Sequence, residues 1–333
     1  TVDPVEQAQP VVIPFERAEI ESTIQARFAR VVAACPSNLA IVGSVSYSYS
    51  ELNLATNRLA HTLSTMLGPT SQGTEEPVVL LLSHDTDIVV AMLGVLKAGQ
   101  FYVSLPADTP RARLRSLLEN LGARLIITNT QSAPVAAELR QPGHQILNLD
   151  QLPNHAPTVD LPCDTLATAP ATIAYTSGST GAPKGIVKNH QAILHRVWNK
   201  TVYNNLNTSD RVALIQTLNF IEVWNALLNG ATLIFYDMHQ QDEVNLAQWL
   251  LNQQITSLYL PIELYRQLLD SLPDDAYFPH LRTVEPSGRF YRHDVEHSWQ
   301  FLPPMAVIGS RYACSEAGRV TQINLSRSTP LTT

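Results

Sequence analysis

Cysteine is scarce in this chain. Cys35, Cys163 and Cys314 are odd in number and far apart, with no Cys-x-x-Cys pair. That spacing gives neither a disulfide framework nor a zinc site, and a reducing cytoplasm is the expected setting. Positive charge is short as well: 22 Lys and Arg stand against 29 Asp and Glu, for a net charge of −7. With no basic run to grip phosphates, a nucleic-acid partner is not expected. Long apolar runs are missing too. The longest, 88–103, is interrupted by Lys97 and Gln100, so no bilayer-spanning segment and no membrane partner are expected. The opening Thr-Val-Asp-Pro is not a charged stretch leading into an apolar one, and no signal peptide is expected.

What is present is a core. A chain of 333 residues, 45% hydrophobic and 15% charged, has room for two domains or two similar halves. Residues 1–18, with three prolines and little periodicity, read as an arm. A helical pattern follows over 20–34. From residue 77 strand and helix alternate. Residues 77–83 (PVVLLLS) form a short continuous apolar run, as in a strand covered on both faces. Residues 86–98 repeat apolar side chains at helical spacing, with Asp85 or Thr86 as N-cap and Gly99 just past the end. Another helix lies between Pro110 and Gly122, followed by a strand at 124–128.

The alternation returns further on. Strands are expected at 172–176, 211–216, 231–236, 257–260, 281–285 and 305–309. Helices are expected at 189–201, 222–229, 243–253, 261–271 and 292–302. Residues 68–76 and 152–171 read as loops. The implied fold is α/β, two doubly wound subdomains with mostly parallel sheets flanked by helices. The chain divides as an arm over 1–18, a first subdomain over 19–200 and a second over 201–333.

The most informative segment is Ile173-Ala174-Tyr175-Thr176-Ser177-Gly178-Ser179-Thr180-Gly181-Ala182-Pro183-Lys184-Gly185. An apolar strand runs into a loop rich in glycine and in Ser/Thr hydroxyls, with one lysine, and a helix is expected a few residues later. Glycine lets backbone N–H groups approach phosphate oxygens, hydroxyls add donors and Lys184 adds charge. This is chemistry for a polyphosphate. It is not a Walker A loop, because Ala182 and Pro183 separate Gly181 from the lysine. A flexible Ser/Gly linker would not sit between an apolar strand and a helix while ending in Pro-Lys-Gly.

Residues 175–185 resemble the phosphate-binding signature of the acyl-adenylate-forming superfamily: acyl-CoA synthetases, luciferases and the adenylation domains of nonribosomal peptide synthetases. Four other segments resemble motifs of that superfamily in the same order. They are Ser48-Tyr49-Ser50-Glu51-Leu52, the run 96–105 (LKAGQFYVSL), the run 227–233 (LLNGATL) and Tyr312-Ala313-Cys314-Ser315-Glu316. Packing alone would explain the second and third equally well. The resemblance spans roughly 20–325 and points to the adenylation domain of a peptide synthetase.

The reaction it implies joins a carboxylate to ATP, giving acyl-AMP and pyrophosphate. Two like charges about 4 Å apart repel by about 4 kcal/mol at an effective dielectric near 20, roughly a thousandfold in rate. Cations and oriented donors are therefore needed. By the resemblance, Thr176, Ser177, Gly178, Ser179, Thr180, Gly181 and Lys184 would hold the phosphates. Glu316, with Thr176, would ligate Mg²⁺, a hard ion suited to oxygen donors. Tyr312 would stack on adenine, in a pocket completed by Ser287, Gly288, Ala313 and Ser315. Phe220, Ile221 and Gly309 would line the acid pocket, and Lys184, Glu316 and Thr176 would carry the chemistry. Ser315 keeps the hydroxyl of the usual Thr, while Cys314 replaces the usual Pro. His190 reads equally as a capping or core histidine and as a catalytic one.

Two departures from the family stand out. Between Phe220 and Glu222 the chain runs about four residues short and lacks the Asp that pairs with a substrate ammonium. A similar shortening follows Gly288, where Arg289 replaces a Glu. Real deletions would favour a keto, hydroxy or aryl acid; omitted residues would leave amino acids open. The chain also stops before the small barrel, hinge and lid of the family, so alone it is expected to bind ATP weakly and adenylate poorly. The implied partners are a small carboxylic acid, a phosphopantetheine-bearing carrier protein and a small helper protein. The alternatives are a stand-alone acyl-CoA or fatty acyl-AMP ligase, and an inactive ATP-binding scaffold.

Overall fold

The structure, a computed structural model, describes residues 11–68, 73–153, 156–162, 164–176, 184–215, 220–236, 243–314 and 318–331. A 3-10 turn at Arg17–Glu21 precedes α1 (Ile24–Ala34), so the helical pattern expected over 20–34 is broken at Ser22 and Thr23. The Thr23 hydroxyl accepts from the Ala26 N–H and starts the helix afresh. Next come β1 (Leu39–Val42), β2 (Tyr47–Ser48) and α2 (Tyr49–Leu67), then β3 (Pro77–Leu80), α3 (Thr86–Lys97), β4 (Phe101–Ser104), α4 (Arg111–Leu121), β5 (Leu125–Thr128), α5 (Ala133–Leu139) and β6 (Gln145–Asn148). The chain continues with β7 (Pro170–Thr176), β8 (Lys184–Asn189), α6 (His190–Asn204), β9 (Arg211–Leu214), α7 (Ile221–Leu227), β10 (Thr232–Phe235) and α8 (Glu243–Asn252). It ends with β11 (Ser257–Pro261), α9 (Ile262–Asp270), β12 (Thr283–Ser287), α10 (Arg292–Phe301), β13 (Val307–Cys314) and β14 (Gly318–Leu325).

Among the described residues these strands make two sheets. One has the order β14-β13-β12-β11-β9-β10-β1-β2, the other β6-β5-β3-β4-β7-β8. Pairing is parallel except at β1/β2, β13/β14 and β7/β8. The mostly parallel α/β architecture read from the sequence is what forms. The split near residue 200 does not divide the sheets cleanly, however. β1 lies early in the chain yet adds to the later sheet, with Ile41 opposite Leu233.

Side-chain alternation explains the layering. In β3, Val78 and Leu80 face a core shared with Leu214 and Leu233 of the other sheet and with α1, α2, α3, α6 and α7. Val79 faces outward, onto Leu114 and Leu117 of α4 and Ala136 of α5. The far face of the large sheet is covered by α8, α9 and α10. Helix α3, flanked by a sheet on either side, is buried at every position but Asp87, which is why its apolar pattern runs right round. Asp85 caps it as expected.

Two of the family-like motifs prove to be packing devices. Ser48 and Glu51 form a capping box that opens α2. The Lys97 ammonium donates to Asn53 Oδ1 at 2.5 Å and Asn57 Oδ1 at 2.6 Å, fastening α3 to α2. Burial pulls its pKa down to about 8.

The arm beyond residue 10 is tied down rather than loose. The Arg27 guanidinium, 1% exposed, donates to the carbonyls of Pro14 at 2.6 Å, Ile13 at 3.2 Å and Leu228 at 3.0 Å. Among the described residues no helix is long and apolar enough to cross a membrane.

Candidate functional site

The expected phosphate loop does not run from a strand into a helix. Strand β7 pairs antiparallel with β8, and Thr176 sits opposite Lys184, so the two strands form a hairpin. Its apolar strand was legible, but the six residues of β8 before the helix were not: exposed or half-buried, KGIVKN lacks the apolar run of the central strands. Lys184 is exposed at the mouth of this hairpin. Ser177, Gly178, Ser179, Thr180 and Gly181 lie outside the described residues.

Helix α6 starts directly after β8. The Asn189 side chain caps it, accepting from the Ala192 N–H at 2.8 Å. His190 follows and is a core residue. Its Nδ1 accepts from the Ile24 N–H at 3.2 Å, and burial pushes its pKa down to about 4. The bland reading of His190 is therefore the one the geometry carries.

In the large sheet the expected site residues gather at one edge. Phe220 and Ile221 follow β9 and open α7. Ser287 ends β12, in register with Pro261 at the end of β11, and Gly288 follows. Gly309, Tyr312 and Ala313 lie on β13, beyond its parallel pairing with β12 at Ile308. These are carboxyl ends of parallel strands, where open α/β sheets bind ligands. A side chain at Gly288 would be strained: its φ is +128°, and a Cβ would lie 2.5 Å from Ile262 Cγ2. Ser315 and Glu316 lie outside the described residues; Cys314, the last described residue before them, pairs with Gly318.

Beneath this edge lies a polar cluster that the sequence did not disclose. Lys200 Nζ of α6 is 2.8 Å from Glu222 Oε2 and 3.5 Å from Glu285 Oε2. Asn204 donates to Glu285 Oε1 at 2.5 Å, and Asn225 donates to Glu222 Oε2 at 3.1 Å. All three charged side chains are at most 2% exposed. A lysine at mid-helix reads as solvated. The available signal was Glu285, a carboxylate inside a strand whose neighbours Val284 and Pro286 are buried.

Comparison with known proteins bears on the family and the fold. The model of the family described as "AMP-binding enzyme" matches residues 28–332. Surfactin synthase subunit 2 of Bacillus subtilis (strain 168) is 34% identical over 269 residues, covering 76% of this chain and 7% of that protein. Tyrocidine synthase 3 of Brevibacillus parabrevis is 31% identical over 275 residues, covering 80% of this chain and 4% of its own length. The chain thus spans a small part of these relatives. Among solved structures, the nonribosomal peptide synthetase FmoA3 in its alpha-methyl-L-serine-AMP bound form superposes with a TM-score of 0.82 at 23% identity, over 93% of this chain and 35% of that one. The Klebsiella oxytoca NpsA N-terminal subdomain gives 0.77 at 20% identity, over 95% and 79%. A family match running nearly the length of the chain, on a fold shared with synthetase structures, decides the assignment: the chain belongs to the AMP-binding enzyme family.

Proposed function

We propose that this chain is the core of an adenylation domain that activates a carboxylic acid with ATP. The acid's carboxylate oxygen attacks the α-phosphorus, the bond from that phosphorus to the bridging oxygen breaks, and pyrophosphate leaves with the bond's electrons. The product is an acyl-AMP. A phosphopantetheine thiol on a carrier protein then takes the acyl group, releasing AMP and a proton, to feed nonribosomal peptide assembly.

The observation that carries this reading is the edge where Phe220, Ile221, Ser287, Gly288 and Gly309 collect. In it, Ser287 and Gly288 line the adenine site together with Tyr312, Ala313 and Ser315. Phe220, Ile221 and Gly309 line the acid. Residues 176–184 bring hydroxyls, backbone N–H groups and the Lys184 ammonium, a donor set matched to the oxyanions of a triphosphate. Glu316 and Thr176 offer the hard oxygen ligands that Mg²⁺ requires. When bound, that ion neutralises phosphate charge.

The acid proposed is one without an α-ammonium group. No Asp lies between Phe220 and Glu222, and the nearby Glu222 is already engaged by Lys200 at 2.8 Å. No uncommitted carboxylate among the described residues of this segment is left for an amine.

The test is acid-dependent pyrophosphate exchange by the full-length protein, across keto, hydroxy, aryl and amino acids. Lys184→Ala should lower exchange about 10²–10³-fold with the melting temperature unchanged, since Lys184 is exposed. Exchange that is strongest with an amino acid would overturn the proposed substrate class. An unchanged rate in the variant would overturn the role of the hairpin.

A further inference from the structure

We infer that Lys200 is a positioning residue for adenylation, an inference that rests on the function proposed above. Its ammonium joins three elements that each carry one part of the proposed site. Helix α6, which bears Lys200, is continuous with β8 and so with the phosphate hairpin. Glu222, at 2.8 Å, stands in the first turn of α7, directly after Phe220 and Ile221 on the acid side. Glu285, at 3.5 Å, is on β12 two residues before Ser287 on the nucleotide side. One buried cation thus fixes the acid wall, the adenine strand and the phosphate hairpin relative to one another.

The same cluster shapes the acid pocket. A Cβ on Gly309 would lie 2.8 Å from Glu285 Cγ, so the glycine exists to make room for the carboxylate stem. Glu285 is drawn toward α6 by the side chain of Asn204, whose backbone carbonyl also accepts from Arg282, the residue before β12. Helix α6 and β12 are in this way locked together at both levels of the site.

The hydrogen-bond pattern argues that stability alone does not account for the cluster. Glu222 Oε1, Asn225 Oδ1 and Asn204 Oδ1 are buried without a hydrogen-bond partner among the described residues. Buried polar groups are nearly always satisfied, and each exception asks for a reason. A buried ion pair is in itself weak evidence for stability, since an apolar replacement of similar volume often does as well. What the pair supplies is one fixed geometry. In-line displacement depends on that geometry, because a misplacement of about 1 Å at the reacting groups costs on the order of 100-fold in rate.

The test uses the full-length protein and two variants. Lys200→Met removes the cation between two buried carboxylates and is the simple deletion. The triple variant Lys200→Met/Glu222→Gln/Glu285→Gln keeps the volume and removes every charge, so it separates folding from positioning. The expected result is a triple variant that melts within about 5 °C of wild type but whose kcat for exchange falls about 10- to 100-fold, with a smaller change in the KM for ATP. A folded triple variant with unchanged kcat and KM would overturn the inference, and so would a triple variant that does not fold, since the cluster would then serve stability. If wild type itself gives no exchange with any acid, the proposed function fails and this inference with it. That outcome is distinct from an active wild type with an equally active triple variant, which defeats the positioning role alone.

Discussion

The Tyr49 hydroxyl donates to the Ala231 carbonyl oxygen at 2.7 Å, across 182 positions of sequence. It joins the first turn of α2 to the turn before β10, and so joins two of the motifs that the family resemblance rests on. Tyr49 is fully buried, and burial holds its phenol well above the usual range. Tyr49→Phe removes the donor and leaves the carbonyl in an apolar site. The expected cost is about 1–3 kcal/mol, read as a lower melting temperature. Exchange activity per folded molecule should not change. A drop in kcat without loss of stability would contradict this structural role.

Arg27 spends its donors on carbonyls of Ile13, Pro14 and Leu228 and on Glu19, and it stacks 4.2 Å over the Phe15 ring. A lysine carries a single compact ammonium and cannot reproduce that planar fork. Arg27→Lys should therefore destabilise by about 2–4 kcal/mol and release residues 11–16. Denaturant midpoints give the first quantity. Faster tryptic cleavage after Arg17 reports the second, and an unchanged cleavage rate would show that the arm is held by other contacts.

Gly288 is constrained twice, by its φ of +128° and by the approach of Ile262. Gly288→Ala should cost about 1–3 kcal/mol in backbone strain alone and weaken binding of a non-hydrolysable ATP analogue. Adding Ile262→Ala removes the clash but not the strain, so only part of the nucleotide affinity should return. Full recovery in the double variant would mean that contact, not backbone conformation, is what excludes a side chain here.

His190 predicts an acid-side loss of stability. Its folded pKa of about 4 lies below the ordinary value of 6.5 because burial disfavours the charged ring. Between these values the unfolded chain takes up a proton that the folded chain does not. Stability from this group is thus full above pH 6.5 and falls as pH drops toward 4, by up to about 3 kcal/mol. His190→Gln, which keeps an acceptor for the Ile24 N–H, should flatten the stability curve in that window. A curve as steep as that of wild type would remove His190 as the cause.

How much was legible in sequence depended on how local the signal was. Buried parallel strands such as LIIT at β5 are continuous apolar runs bounded by turns, and caps such as Asp85 name themselves. Strand β8 and the long helix α2 were missed for the opposite reason. The strand carries charge and glycine, and α2 mixes buried positions such as Leu52 and Leu59 with polar ones such as Asn57 that turn inward to meet Lys97. The site motifs could be listed from sequence because hydroxyls, glycines and a lysine in one loop are a chemical statement in themselves.

The sequence by itself determined the alternation of strand and helix, the glycine and hydroxyl content of residues 176–185 and the absence of an Asp between Phe220 and Glu222, since each depends on residues close together in the chain. Only the tertiary structure decided that β1 joins the distant sheet, that β8 pairs antiparallel with β7, that His190 belongs to the core and that Lys200 meets two carboxylates. Those outcomes turn on which faces bury against which. A lysine on a helix is solvated or buried according to residues 22 and 85 positions away, and no local pattern records that choice.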